Sequence, residues 1–184
     1  MRVVISSGHG LLIRGASGLI DEVDEARRVV PEVATWLRKM KHSVVEFHDD
    51  TSTTQQENLE TIVNFHNADV SSTGRSRDLD VSVHFNAYEP TTESRGTEVW
   101  YQTQDELAAD ISYSIANASD LFNRGGKYTD DLYFLNHTDR PAVLIEVCFV
   151  DSEFDVEHYV EHFEDICESI AAAISDYFAE EQSA

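Results

Sequence analysis

Two histidines and two glutamates stand where a hydrolytic metal centre would need them. His9 lies between Gly8 and Gly10 just after the apolar run Val3-Val4-Ile5, His84 follows Leu79-Asp80-Val81-Ser82-Val83, and Glu146 closes Ala142-Val143-Leu144-Ile145. Each run reads as a buried strand with chemistry at its C-terminal end. Open sheets of parallel strands gather ligands in the crevice at that edge, so residues far apart in sequence converge there. Zinc hydrolases commonly use three protein ligands, often two His and one carboxylate, and leave the fourth position to water. His9, with glycines that let the backbone approach closely, and His84, on the polar face of its strand with Ser82 and Asp80, supply the two nitrogens.

Glu22 is the candidate third ligand, because it opens the first helix after a glycine-containing loop and would sit over the same sheet edge as His9. Asp21, Asp24 and Glu25 compete with it, and an acid in a first helical turn is also favoured by the macrodipole alone. Glu146, between Ile145 and Val147, is expensive to bury unless it is paired, protonated or used. A pairing with Arg140 or Arg95 is the structural alternative. As a general base, Glu146 would take a proton from metal-activated water and return it to a leaving amine. Three other patterns compete. His158-Tyr159-Val160-Glu161-His162 matches an inverted zinc-peptidase motif but falls on the charged side of the final helix, where a solvated face is expected. Cys148 could act as a nucleophile with His84 as base, against a buried structural thiol. His48 in Phe47-His48-Asp49-Asp50 also follows a strand, with a turn-forming, solvent-facing role as the alternative.

The elements that must position these groups alternate. Strands are predicted near 2–6, 43–47, 79–85 and 96–101, a short one at Leu132 to Leu135, and one from Arg140-Pro141 to Val147. Helices are predicted over about 22–41, with Pro31 kinking or restarting it, 55–68, 105–122 and 155–179, and Ser71 to Arg77 reads as a polar loop. This pattern is an α/β fold: a single domain with a twisted, mixed or mostly parallel sheet flanked by helices on both faces.

With 184 residues and 41% apolar content, one domain with a sizeable core is the expectation. Thirteen Lys and Arg against thirty-five acids give a formal charge of −22, which argues against a nucleic-acid binder. No apolar run is long enough for a membrane span, and the N-terminus enters a strand without signal-peptide features, so cytoplasmic synthesis is expected. Cys148 and Cys167 fall on apolar faces and are expected to be two buried free thiols.

The segments Val3 to Gly10, Asp21 to Asp24, Val81 to Ala87, Gly96 to Tyr101 and Pro141 to Val147 resemble, in order, the zinc-dependent N-acetylmuramoyl-L-alanine amidases of the amidase-3 type, and the likeness spans nearly the whole chain. Leu132-Tyr133-Phe134-Leu135-Asn136 looks especially like the catalytic domains of phage endolysins in that family. The resemblance implies that residues 1–180 are the catalytic domain, with 181–184 a short acidic and polar tail. It implies that His9, Glu22 and His84 hold Zn2+, that Glu146 is the catalytic carboxylate, and that the substrate is the amide joining N-acetylmuramic acid to L-alanine in peptidoglycan. One departure is Ala26, where the family often has Asn four residues after the helix-opening Glu. The resemblance also implies action on the bacterial cell wall after release by a holin or through lysis, with no separate wall-binding domain in this chain. The strong negative charge weakens attraction to an anionic wall in a salt-dependent way. The non-enzyme alternative is a muropeptide-binding module of the same fold that does not cleave.

Overall fold

The computed structural model describes residues 1–68 and 78–181. The polar loop expected at 71–77 and the last residues of the expected tail, 182–184, lie outside the described residues. The elements run β1 (Arg2–Ser7), α1 (Glu22–Lys39), β2 (Ser43–Phe47), α2 (Gln55–Asn67), β3 (Leu79–Asn86), β4 (Thr97–Tyr101), α3 (Asp105–Ser119), β5 (Asn123–Tyr128), α4 (Tyr133–His137), β6 (Ala142–Phe149), α5 (Glu153–Glu161) and α6 (Phe163–Glu181). They form one α/β unit around a six-stranded mixed sheet of order β2-β1-β3-β6-β4-β5. All neighbouring strands pair parallel except β4, which is antiparallel to β6. No helix among the described residues is long and apolar enough to cross a membrane.

The period-two alternation of the central strands sends their side chains to two different layers. Val3 and Ile5 of β1, Val81 and Val83 of β3, and Val143 and Ile145 of β6 join the larger core cluster with Val29, Val33 and Leu37 of α1 and Ile166, Ile170 and Ile174 of α6. On the opposite face, Ala142 and Leu144 of β6 pack with Ile62 and Val63 of α2 and Phe134 and Leu135 of α4 in a smaller cluster. That second face also carries Ser6, Asp80, Ser82, His84 and Glu146, so polar chemistry and a thin apolar layer share one side of the sheet. The His66 ring of α2 bridges Asp80 Oδ1 and Ser6 Oγ, each at 2.9 Å. All three residues are fully buried, and the bridge ties α2 to β1 and β3. The arrangement has the residue types of a hydrolase triad, but its side chains are buried against one another.

A bulge interrupts the β3–β6 pairing where it matters. His84 lies opposite Glu146, but Asn86 lies opposite Phe149, so β6 carries one extra residue just after Glu146. The alternation slips there, and Cys148 turns into the larger cluster beside Val147 instead of following Glu146.

Several expectations are corrected. Leu132 to Leu135 lies in no strand; α4 runs over Tyr133–His137. Phe134 and Leu135 are consecutive yet both buried, which a strand cannot arrange against one layer, and Tyr133 stacks on His137 one helical turn on, at 3.9 Å. Helix α1 runs through Pro31 without restarting, held by the burial of Val29, Val30, Val33 and Ala34 against the loss of about 3 kcal/mol that an interior Pro costs. The single last helix is two: α5 ends with His162 as its C-cap, so α5 can lie on β6 while α6 packs along α1 and α3. Helix α3 stops at Ser119 because Asp120 adopts the left-handed conformation. Strand β5, which has no apolar alternation, is the additional edge strand beside β4.

Candidate metal and hydrolytic site

His9, Glu22 and His84 reach one point over the C-terminal ends of β1 and β3. Each offers a ligand atom, and the three atoms lie within 4.8 Å of one another. Ligands held at about 2.0–2.1 Å around a tetrahedral zinc stand roughly 3.4 Å apart, so this separation suits one such ion with little adjustment. Glu22 Oε1 is 3.0 Å from His84 Nδ1, and Glu22 Oε2 is 3.7 Å from His9 Nε2. The two imidazoles meet edge to face with centroids 5.1 Å apart.

Local sequence explains the convergence. Asp21 caps α1, its side chain accepting from the backbone N–H groups of Val23 and Asp24, and this starts the helix with Glu22 facing inward. The Glu22 carboxylate, 2% exposed, is then gripped by the N–H groups of Ala16, at 2.6 Å, and Phe85, at 3.1 Å. The competing acids are engaged elsewhere: Asp21 and Asp24 pair with Arg14, and Glu25 accepts from Tyr159 Oη and Arg28. Gly8 is required because a Cβ there would run into the His84 ring, and Gly15, at φ +64°, leaves room for Glu22 Oε2 and His9.

Glu146 stands across the strand pair from His84. It makes no ion pair with Arg140 or Arg95, and its Oε2 is buried without a hydrogen-bond partner. An orphaned carboxylate oxygen beside three convergent ligands is the mark of a group meant for something absent from the resting contacts. Burial pushes its carboxyl up to about 7, opposed by His84 and reinforced by Glu22 and Glu98. Burial also pulls His84 down, but the hydrogen bond and charge of Glu22 outweigh it and leave His84 above the ordinary histidine value. His9 is lowered by burial, then by His84, with Glu22 opposing. Burial raises Glu22 itself, yet the His84 hydrogen bond, the two imidazoles and the Ala16 N–H together bring it below the usual carboxylate range. The site therefore holds one firmly ionised carboxylate and one that titrates near neutrality.

The competing patterns do not join this point. His158 donates Nδ1–H to the Ser119 carbonyl at 2.8 Å and stacks on Phe154 at 3.9 Å, while His162 lies 3.7 Å from Asp165. Both are half-buried, which corrects the solvated face expected for them. Cys148 is wholly buried, and burial followed by the charges of Asp155, Glu25 and Glu146 raises its thiol far above a reactive value. Both cysteines are free. His48 pairs with Ser7 Oγ at 2.9 Å, half-buried and not solvent-facing as a turn residue would be.

Three supporting groups escaped the sequence reading. Glu98 of β4, in register opposite Glu146 and 3% exposed, accepts from Asn86 Nδ2 at 3.0 Å and Arg124 Nε at 2.6 Å. A glutamate inside Thr97-Glu98-Val99 was the available signal. Asp155, fully buried, accepts from Ser94 Oγ and the N–H groups of Arg95, Gly96 and Phe149, and so fastens the loop before β4 to the end of β6. Ser82, between Asp80 and His84, is 1% exposed with its Oγ unpartnered.

Residues 3–176 match the profile of the Amidase_3 family, N-acetylmuramoyl-L-alanine amidase. The chain belongs to this family. The chain is 32% identical over 192 residues to a 38.4 kDa protein of Clostridium perfringens, a match covering 95% of the chain and 53% of that protein. The chain spans about half the length of the Clostridium perfringens relatives it matches. Among solved structures, the fold is similar to the catalytic domain of the CD27L endolysin targeting Clostridia difficile, with TM-score 0.82 and 27% identity over 96% of this chain and 97% of that one. It is also similar to the N-acetylmuramoyl-L-alanine amidase AmiC2 of Nostoc punctiforme, with TM-score 0.79 and 25% identity over 97% of each.

Proposed function

We propose that this amidase hydrolyses the amide between the lactyl carbonyl of N-acetylmuramic acid and L-alanine in peptidoglycan, using zinc held by His9, Glu22 and His84, with Glu146 as the proton carrier. The observation that carries this reading is the meeting of three ligand atoms within 4.8 Å beside a carboxylate oxygen that has no partner. Zinc bound by two imidazoles and a carboxylate supplies Lewis acidity, polarising the amide carbonyl and acidifying water.

The residues of the chain divide the remaining work. Glu22, ionised and gripped by two backbone N–H groups, fixes the ligand geometry and offsets part of the metal's charge. Glu146, titrating near neutrality, takes the proton from the attacking water as the hydroxyl oxygen joins the lactyl carbon. When the C–N bond breaks, Glu146 returns that proton to the nitrogen, so a lactyl carboxylic acid, which then ionises to solvent, and a free alanine amine leave. Glu98 and Arg124 hold Asn86 and the strand opposite Glu146 in register.

The likeness to the catalytic domain of an endolysin supports a role in lysing or remodelling the bacterial cell wall. The test is zinc content together with chelator-sensitive release of peptides bearing free alanine amines from peptidoglycan. Glu146→Gln should keep zinc and lose hydrolysis. Protein that binds peptidoglycan without releasing peptide, or a Glu146→Gln variant that still turns over, overturns the assignment.

A further inference from the structure

His158 and His162 lie one helical turn apart at the end of α5, and the C-cap N–H of His162 donates to the His158 carbonyl, so the two side chains leave the same face. Their ring centroids are 6.1 Å apart. The His9 and His84 rings, whose ligand atoms already converge, stand only a little closer, at 5.1 Å. The state of the ring nitrogens makes the outer pair more than neighbours. His158 Nδ1 faces the Ser119 carbonyl at 2.8 Å, and a carbonyl only accepts, so Nδ1 carries the proton and Nε2 presents a lone pair. The ring is fixed there by its stack on Phe154. His162 turns Nδ1 toward Asp165 Oδ2 at 3.7 Å, which favours the same tautomer. Among the described residues, neither Nε2 has a hydrogen-bond partner or is sealed from solvent. A metal-ligating imidazole is held in this way, its other N–H engaged by a carbonyl or a carboxylate.

We infer that His158 and His162 form a second transition-metal site, taking a divalent ion such as Zn2+ or Cu2+ through their Nε2 atoms, with water completing its shell. Two imidazoles suit zinc, nickel and copper, whereas Mg2+ and Ca2+ call for oxygen ligands. The surroundings favour a cation: the C-terminal carbonyls of α3 end at Ser119, and Glu157 and Glu161 stand exposed in the last turn of α5. This site shares no residue with His9, Glu22, His84 and Glu146, so it stands independently of the amidase reading. Its role is structural. Helix α5 carries Asp155, which fastens the loop before β4 to the end of β6, and it stops at His162, where the chain turns into α6. An ion shared by His158 and His162 locks that last turn and, through the Ser119 carbonyl, ties it to the end of α3.

The experiment titrates chelator-stripped wild type, His158→Ala and His162→Ala with Zn2+ and, separately, with Cu2+ in a calorimeter. Wild type should bind two equivalents, and each histidine variant should keep one. The second equivalent should weaken by at least about tenfold in the variants, because even the loss of an outer-shell partner costs roughly 10–100-fold in metal affinity. Copper should hold the outer site more tightly than zinc, and its electron paramagnetic resonance spectrum should show two imidazole nitrogens in wild type and one or none in either variant. The second equivalent should also raise the melting temperature of wild type and leave that of His162→Ala unchanged. A single wild-type equivalent that survives His162→Ala, or two equivalents that persist in both variants, overturns the inference and leaves the amidase centre as proposed. A single equivalent abolished by His162→Ala upholds it and overturns the zinc assignment of His9, Glu22 and His84. Should His158→Ala fail to fold for want of its Ser119 and Phe154 contacts, His162→Ala decides the matter alone.

Discussion

Replacing Glu146 by Gln should make the metal-free protein more stable at alkaline pH, and the effect should vanish in acid. The reasoning begins with a carboxyl whose folded value is pushed up to about 7 from an ordinary 4.5. Below pH 4.5 the group carries a proton in both the folded and unfolded chain, and its burial costs nothing extra. Between 4.5 and 7 the unfolded chain releases that proton while the folded one retains it, so stability is lost as pH rises, and above 7 the loss is complete. The gap between the two values amounts to roughly 3 kcal/mol, most of which falls between pH 5 and pH 8. Gln is neutral throughout and removes this dependence. For a chain of this size, about 2–4 °C of melting temperature accompanies each kcal/mol, so the variant should gain roughly 5–10 °C on wild type between the two pH values. Thermal unfolding of chelator-stripped wild type and Glu146→Gln at pH 5 and pH 8 measures the difference directly. A gap that is the same at both pH values would refute the claim that Glu146 is an unpaired buried acid.

Zinc at a hundredfold excess over its Kd should raise wild-type stability by about 2.7 kcal/mol in calorimetry, and Gly8→Ala, whose Cβ meets the His84 ring, should weaken zinc affinity at least tenfold in a competition titration. Asp155→Ala strands the N–H groups of Arg95, Gly96 and Phe149 and should cost at least about 3 kcal/mol in urea unfolding. Cys148 and Cys167, both buried, should resist a thiol reagent in the folded protein and react promptly after denaturation.

The parts of the fold that were legible in the sequence are those whose pattern carries its own physics. Val3-Val4-Ile5, Val81-Ser82-Val83 and Val143-Leu144-Ile145 announced central strands, and their ends brought together His9, His84 and Glu146 as parallel topology requires. Glu22 was harder to choose among four acids, because what singles it out is the N-cap at Asp21 and the N–H groups of Ala16 and Phe85, which sequence does not display. Strand β5 was invisible because Asn123-Arg124-Gly125-Gly126 has no alternation. It exists because β4 offers an edge, and because Gly126 admits the close approach of Ala108 and Ala109. The strand expected at Leu132 failed for the opposite reason, since a run of four apolar residues has no period and a short helix buried it equally well. Ser82 and Glu98 looked like ordinary strand residues until their neighbours were known.

The extra residue in β6 keeps sulfur away from the candidate metal site. Were β6 to alternate regularly past Glu146, Cys148 would stand two residues on along the same face, and a soft sulfur would border a centre otherwise built from nitrogen and oxygen. Thiolate is a strong zinc ligand and also recruits copper(I), so a fourth donor of that kind would close the position that hydrolysis needs open and widen the range of ions captured. By slipping the register between His84 and Asn86, the chain hides its sulfur in the hydrocarbon layer on the other side of the sheet.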